Sequence, residues 1–409
     1  MAQMRLPRRT LLLAAAAACN QSALAQVLPN ATSPDVGGQM PVVTVASISA
    51  LSSLTTRPSL VAVISRAVAG DGGGGVFRWE AKSDRAVDGV MVVEPDGGLP
   101  GRYLRVFSGI IDAAWFGEDI QAAIDTAQIL RANVQVSKIT DLYKTLVLRS
   151  AVNLFFTSGA KLLWRGSRIA TCVETDSAAV TTNAIWAGLT IDTGPEFEGT
   201  ALSIHSAHNV HADRITLITA GRRCTALRLV ADSTGGGTPT TKRNVGACTF
   251  GALVQQGQCG TFFETGGHNV GADGSPQVVT LNTIGSMFAE NCAQYGVHLR
   301  SWTDNNAFPG VNRVSLNGDG AIGLQVGGAS GTDNRGVYMN KFGILAVDTF
   351  GSMTDRIGVS MDRSKLTIID AYYQSPPAEG GRLVATRDTT SYDIRYYDDR
   401  TGKMTHYVR

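Results

Sequence analysis

One short phrase recurs between residues 200 and 370. It reads Asn, then alternating apolar residues, a turn, then a small residue and a second apolar-x-apolar strand. The asparagines are Asn209, Asn244, Asn282, Asn312 and Asn340, spaced by 35, 38, 30 and 28 residues. The second strands include Ala201–Ile204, Ala226–Leu229, Gly260–Phe263, Gly296–Leu299, Gly323–Val326 and Gly358–Met361. Such a period, built of short pieces with glycine turns, marks a solenoid. Its apolar residues alternate with period 2, so the unit is a strand and not a helix. Like strands then stack in parallel at roughly 4.8 Å, and a repeated turn Asn forms an amide ladder without any catalytic duty. The reading is an all-β chain, with a right-handed parallel β-helix over residues 130–375. An antiparallel β-sandwich is the competitor, but it requires no recurring Asn-to-Gly phrase.

The start of the chain has another character. Arg5, Arg8 and Arg9 precede the apolar run Leu11–Ala18, and Ala23-Leu24-Ala25 is a small-x-small cleavage site. Residues 1–25 therefore read as a signal peptide with a twin-arginine-like basic region. An Ala17-Ala18-Cys19 lipoprotein ending is the other option. Export to the periplasm or the exterior follows, and the run is too short to span a bilayer. Cleavage removes three arginines and no acid, turning 36 basic against 34 acidic residues into near balance. That argues against a nucleic acid or an anionic membrane as partner. Cys172, Cys224, Cys248, Cys259 and Cys292 remain, an odd set. Cys224 and Cys259 fall at like places in the repeat, as a buried thiol column or a disulfide.

Residues 26–42 read as a leader and 43–117 as a β-rich head. Residues 118–370 read as a capping helix followed by the β-helix, and 371–409 as a tyrosine-rich C-terminal cap. Four consecutive glycines, Gly72 to Gly75, lie between strand-like runs. No Gly-Lys-Ser/Thr follows them, so a tight hairpin is expected and not a phosphate loop.

A resemblance rests on several segments together. These are Ala69-Gly70-Asp71-Gly72-Gly73-Gly74-Gly75-Val76-Phe77-Arg78-Trp79, Gly97-Gly98, Gly101-Arg102-Tyr103-Leu104-Arg105, Trp115-Phe116-Gly117 and Ile120-Gln121-Ala122-Ala123-Ile124-Asp125. Over residues 60–165 the chain resembles the head and first coil of the pectate-lyase-like superfamily, as in phage tailspikes and exported polysaccharide-degrading proteins. The resemblance implies that the glycine loop sits in the head. It implies that a short helix, with the stripe Ile120, Ala123, Ile124 and Ala127, caps the open end of the β-helix. It implies a polysaccharide partner and allows a homotrimer. The family's Pro-Ala-Gly-x-Tyr turn is replaced here by Ser137-Lys138-Ile139-Thr140. Beyond residue 165 only the architecture is shared, and that architecture carries lyases, hydrolases and non-catalytic modules alike.

Alternation places candidate chemistry on the outer face of the second-strand sheet. One expected column is Ser203, Arg228, Phe262, His298, Gln325 and Ser360. The next is His205, Val230, Glu264, Arg300, Gly327 and Asp362. The catalytic group expected is Glu264, His298 and Arg300, with Arg300 pairing a uronate carboxylate and His298 taking a proton. Phe262 and Gln325 would line the site. His268, Asp304 and Asp333 would do so from long loops at 231–243, 265–281, 301–311 and 328–339, the usual place for function. The plain alternative is a surface Glu264–Arg300 pair. Glu290, Asp319 and Asp348 form a second constellation, 8, 7 and 8 residues after their Asn. As an acidic column they would suit a glycosidase pair, Glu290 with Asp319, or a calcium ion, unless they are ordinary turn acids. Polygalacturonase and calcium pectate lyase motifs are absent. The function expected is degradation of an acidic or branched polysaccharide, by a lyase first and a glycoside hydrolase second. A non-catalytic glycan-binding β-helix is the remaining reading.

Overall fold

A computed structural model describes residues 42–98, 100–117, 119–176, 179–194, 196–231, 244–267, 278–300, 302–327, 337–349, 356–362, 364–374, 382–387, 391–398 and 403–409. The signal peptide, most of the leader, His268 and Asp333 lie outside these residues. The remainder of the fold belongs to one compact unit, Thr44–Arg409.

The unit is a parallel β-helix with a small antiparallel sheet at its N-terminal side. Each coil runs through three long parallel sheets and a short fourth ladder. One coil shows the plan: ladder Thr303–Asp304, then Ala307–Leu316 bent across the first and second sheets, then Ile322–Val326 in the third. The third sheet stacks Leu146–Leu148, Thr171–Thr175, Thr200–His205, Thr225–Ala231, Cys259–Gly267, the end of Thr283–Leu299, Ile322–Val326, Ile357–Asp362 and Arg382–Arg387. Coils thus continue past residue 370, where a cap was expected. Among the described strands of the β-helix, only the last, Lys403–Val408, reverses, pairing antiparallel with Ser391–Asp398 and covering the last parallel edge.

The turn between the ladder and the first sheet repeats with one backbone shape. Arg131, Ala151, Asn183, Asn209, Ala247, Leu281, Asn305, Met339 and Leu366 all take the left-handed conformation there. Only Asn is suited to it among these side chains. The residue after each points inward: Ala132, Val152, Ala184, Val210, Cys248, Asn282, Asn306, Asn340 and Thr367, all buried. The amide ladder occupies the middle of this column. Asn282 Nδ2 donates to Asn306 Oδ1 at 2.9 Å, and Asn306 Nδ2 to Asn340 Oδ1 at 3.0 Å. The Cys248 N–H donates to Asn282 Oδ1, at 3.1 Å. Asn306 and not Asn312 is therefore the rung between Asn282 and Asn340. Asn312 instead ties the bend after the first sheet, donating to the carbonyls of Phe308, Gly310 and Ile344. Asn209 and Asn244 occupy two further turn positions, so the five asparagines do not form one column.

The head sheet runs Leu60–Val63, Gly75–Glu80, Arg102–Arg105 and Val92–Val93, all antiparallel. The glycine stretch ends a loop across residues 64–74, not a tight hairpin. Asp71 organises that loop by accepting from the backbone N–H groups of Arg66, Ala67, Val68 and Gly73. Slight burial raises the Asp71 pKa, and those four donors outweigh it, leaving the group well below the usual carboxylate range. Arg105 is buried and donates to Gly73 O, Gly74 O and Val90 O. Its guanidinium lies between the rings of Phe77 and Trp115, at 4.6 and 4.5 Å. Burial lowers its pKa to about 10, so it stays charged at neutral pH. The glycine, Arg and Trp-Phe-Gly segments thus form one structural clamp. Helix Ile120–Leu130, N-capped by Asp119, buries Ile120, Ala123, Ile124 and Ala127 against the first coils.

Two stability measurements test this account. Asn306→Ala leaves partners of the ladder unsatisfied and should cost about 3 kcal/mol in urea unfolding. Leu281 is 63% exposed in its left-handed turn. Leu281→Asn should raise stability by about 0.5–1 kcal/mol, and a loss of stability would refute the turn assignment.

Candidate functional site

The third sheet sets one residue of each coil opposite its counterpart. Its main outward column is Val147, Glu174, Ser203, Arg228, Glu264, His298, Gln325 and Ser360. The adjacent one passes through His205, Val230 and Gly266. Arg300, Gly327 and Asp362 follow it upward.

Two expected positions change. Glu264 joins the column of His298, and Phe262 is fully buried and packs in the core. The sequence pattern sets Gly260 against Gly296. A bulge between Cys259 and Thr261 instead brings Phe262 to the level of Gly296 and Glu264 to that of His298. Phe262 and Phe263 are both fully buried.

Glu264 is the centre of the charged group. Its Oε1 lies 2.7 Å from Arg300 Nη1, and its Oε2 lies 3.5 Å from Arg228 Nε. The carboxylate side chain is 13% exposed, whereas the two arginines are 39% and 41% exposed. Arg228 was not singled out from the sequence, although its place beside Glu264 follows from the register. His298 stands one coil above Glu264, with its ring 4.4 Å from that of Tyr295. Burial lowers the His298 pKa, aided by Arg300 and opposed by Glu264 and a backbone hydrogen bond at Gly327. Its Nε2 is buried without a hydrogen-bond partner. Gln325, one coil further, is buried and donates to Val326 O and Gly327 O.

Arg300 is flanked in its column by two glycines. A Cβ at Gly266 would meet only Arg300 carbons at 3.9 and 4.0 Å, so that place is an open notch. Gly327 has φ +81°, and a Cβ there would lie 1.7 Å from Asp362 O, so only glycine fits.

The acidic column does not assemble. Asp348 stands opposite Ser315 and pairs with Arg313 Nε at 2.5 Å. Glu290 lies beside a bulge between Ala289 and Cys292, and its Oε2 accepts from Gly257 N. Asp319 lies past the strand that ends at Leu316, in a turn. Unequal turn lengths and the bulge separate residues that equal counting from Asn had aligned. Among the described residues no group of three His, Cys, Asp or Glu side chains could hold a metal ion. Asp304 stands on the fourth ladder and not in the Glu264 column, with Oδ1 buried. The stretch 301–311, expected as a loop, carries that ladder strand and the start of Ala307–Leu316.

A second titratable group occupies the same sheet nearer the N-terminus. Glu174 Oε2 lies 3.8 Å from His205 Nε2, which is 2.8 Å from Ser203 Oγ. Burial, then the nearby Asp176, raises the Glu174 pKa. Asp176 pairs with Arg149 Nη1 at 2.5 Å, and Arg149 also holds Asp125. The alternation Glu174-Thr175-Asp176 was the available signal. All five described cysteines are free and buried, and Cys259 and Cys292 Sγ atoms lie 3.6 Å apart.

Neither a family model nor a curated protein matches this sequence. Solved structures do match. The enzymatically active domain of tailspike protein 2 from bacteriophage CBA120 aligns with TM-score 0.54 and 10% identity, over 94% of this chain and 59% of that one. The gp42 tailspike of Acinetobacter phage vb_AbaP_AS12 aligns with TM-score 0.54 and 11% identity, over 90% and 76%. The chain therefore spans about three-fifths of the first of these structures. No helix among the described residues is long and apolar enough to cross a membrane. At these identities the likeness is one of architecture, and the chain has a tailspike-like parallel β-helix fold.

Proposed function

We propose that the protein degrades an acidic polysaccharide by β-elimination on the outer face of its third sheet. One observation carries the reading: Arg300, Glu264 and His298 meet on adjacent coils of one face. Elimination needs a cation at the uronate carboxylate and a neutral base near the carbon that bears the acid. Arg300 supplies the cation, using guanidinium donors that Glu264 leaves available. Burial keeps His298 neutral and able to accept. His298 takes the proton from C5, the electron pair forms the C4–C5 double bond, and the C4–O4 bond breaks. The departing oxygen takes a proton from solvent. Glu264 positions both arginines and is not itself the base, since its two oxygens are held by them. The phage CBA120 domain that aligns with this chain is named as enzymatically active, which is consistent with an active site on such a scaffold. A homotrimer and an exported location belong to the same proposal.

A second reading, hydrolysis, is favoured by Glu174 and Asp176. The two lie two residues apart at the end of strand Thr171–Thr175, a spacing that sets side chains on one face. Burial raises the proton affinity of Glu174, while Arg149 pairs with Asp176. Such a division suits an acid and a base.

Incubation with uronate polymers separates the two. The first reading expects the ultraviolet absorbance of an unsaturated uronate. Arg300→Ala or His298→Gln should lower that rate by about 100-fold or more, with unchanged melting. New reducing ends without that absorbance, lost in Glu174→Gln, would replace elimination by hydrolysis. The pH profile is a further check. Elimination needs neutral His298, so activity falls with acid only as pH drops through its lowered pKa. The acid limb should lie below the ordinary imidazole value of about 6.5. A limb above that value would remove His298 as the base.

A further inference from the structure

The charges on this face follow a sequence along the solenoid axis. Arg228 lies on one coil, Glu264 on the next and Arg300 on the one after. Arg228 and Arg300 therefore start two coils apart, roughly 10 Å along the axis, with Arg300 two residues to the side in the adjacent column. Each commits one nitrogen to Glu264, at 3.5 and 2.7 Å, and a guanidinium has five N–H donors in a fixed fork. About two-fifths of each arginine side chain is exposed, which leaves guanidinium surface open to a ligand. Between them stand the Glu264 carboxylate and the open notch at Gly266.

A pyranose advances an extended glycan by about one coil, roughly 5 Å. A glycan lying along the axis would thus set every second sugar beside an arginine and the intervening one beside Glu264. An acid on the intervening sugar would meet a fixed negative charge, and like charges disfavour a partner as effectively as opposite charges favour one. We infer that this row selects a glycan in which an acid recurs on alternate sugars with a neutral sugar between, over a homopolymer of uronates. The inference rests on the proposed polysaccharide site and deepens it, since acidity alone does not require alternation.

Binding to the full chain tests it. Hyaluronan and heparosan serve as alternating polymers, polygalacturonate and alginate as homopolymers, and dextran as a neutral control. The expected result is about tenfold or tighter binding of the alternating polymers at equal chain length and moderate salt. Glu264→Gln should reduce that preference to near unity by admitting the homopolymers. Should Glu264→Gln fail to fold, Arg228→Gln is the second variant. It should weaken an oligosaccharide carrying two alternate acids by about tenfold and leave a one-acid disaccharide unchanged. Equal or tighter binding of homopolymers by the wild type would overturn the inference while leaving the acidic-glycan site standing. So would a preference that neither variant alters. Binding of no acidic polymer would instead remove the site itself, and the inference with it.

Discussion

A parallel coil satisfies its backbone hydrogen bonds with the coils above and below it, not within itself. Every residue therefore inherits its position from a counterpart about 4.8 Å away, and chemistry on this molecule is arranged in columns. The inward column beside the left-handed turns shows the consequence. It passes from Ala132, Val152, Ala184, Val210 and Cys248 to Asn282, Asn306 and Asn340 without a change in backbone course. Apolar side chains fill the turn by packing. The asparagines fill it by bonding each other and the turn carbonyls of Val245, Val279, Asp304, Thr303 and Tyr338. A buried amide is tolerated here because both of its ends are satisfied, which a single isolated Asn in an apolar column would not achieve.

The same rule explains what was legible in the sequence. Period-2 alternation and a recurring turn identify a strand solenoid because both express the coil directly. The cap helix was visible because Ile120, Ala123, Ile124 and Ala127 must share one face. Register was less legible. Asn282, Asn312 and Asn340 look equivalent on a one-dimensional count, yet Asn312 serves a bend that has its own reason to use an amide. Asn306 was hidden because it follows Asn305, the left-handed residue of the same turn. A counting rule sees two adjacent asparagines and cannot tell the rung from its support.

The candidate site shows how one bulge propagates. Gly260 and Gly296 invite alignment, and that alignment sends Phe262 outward and separates Glu264 from His298. The observed register differs: the extra residue between Cys292 and Tyr295 sets Glu264 opposite His298 rather than Val297, and Phe262 is buried. That one-residue shift thus decides that a carboxylate stands beside the imidazole. The acidic column fails for the complementary reason. Nothing buried forces Glu290, Asp319 and Asp348 into register, so turn length alone governs their positions.

Glu264 makes sense only with its neighbours. A largely buried carboxylate between two guanidiniums gains little stability over an apolar replacement, since desolvation offsets much of the attraction. What the arrangement provides is geometry. It fixes two long, otherwise mobile side chains at defined points of an exposed face, while Gly266 and Gly327 keep the space beside Arg300 clear. Beside them, burial lowers the His298 pKa and so favours its neutral form. An imidazole whose pKa burial lowers thus stands beside two part-exposed cations on one face, and on that pairing the proposed elimination rests.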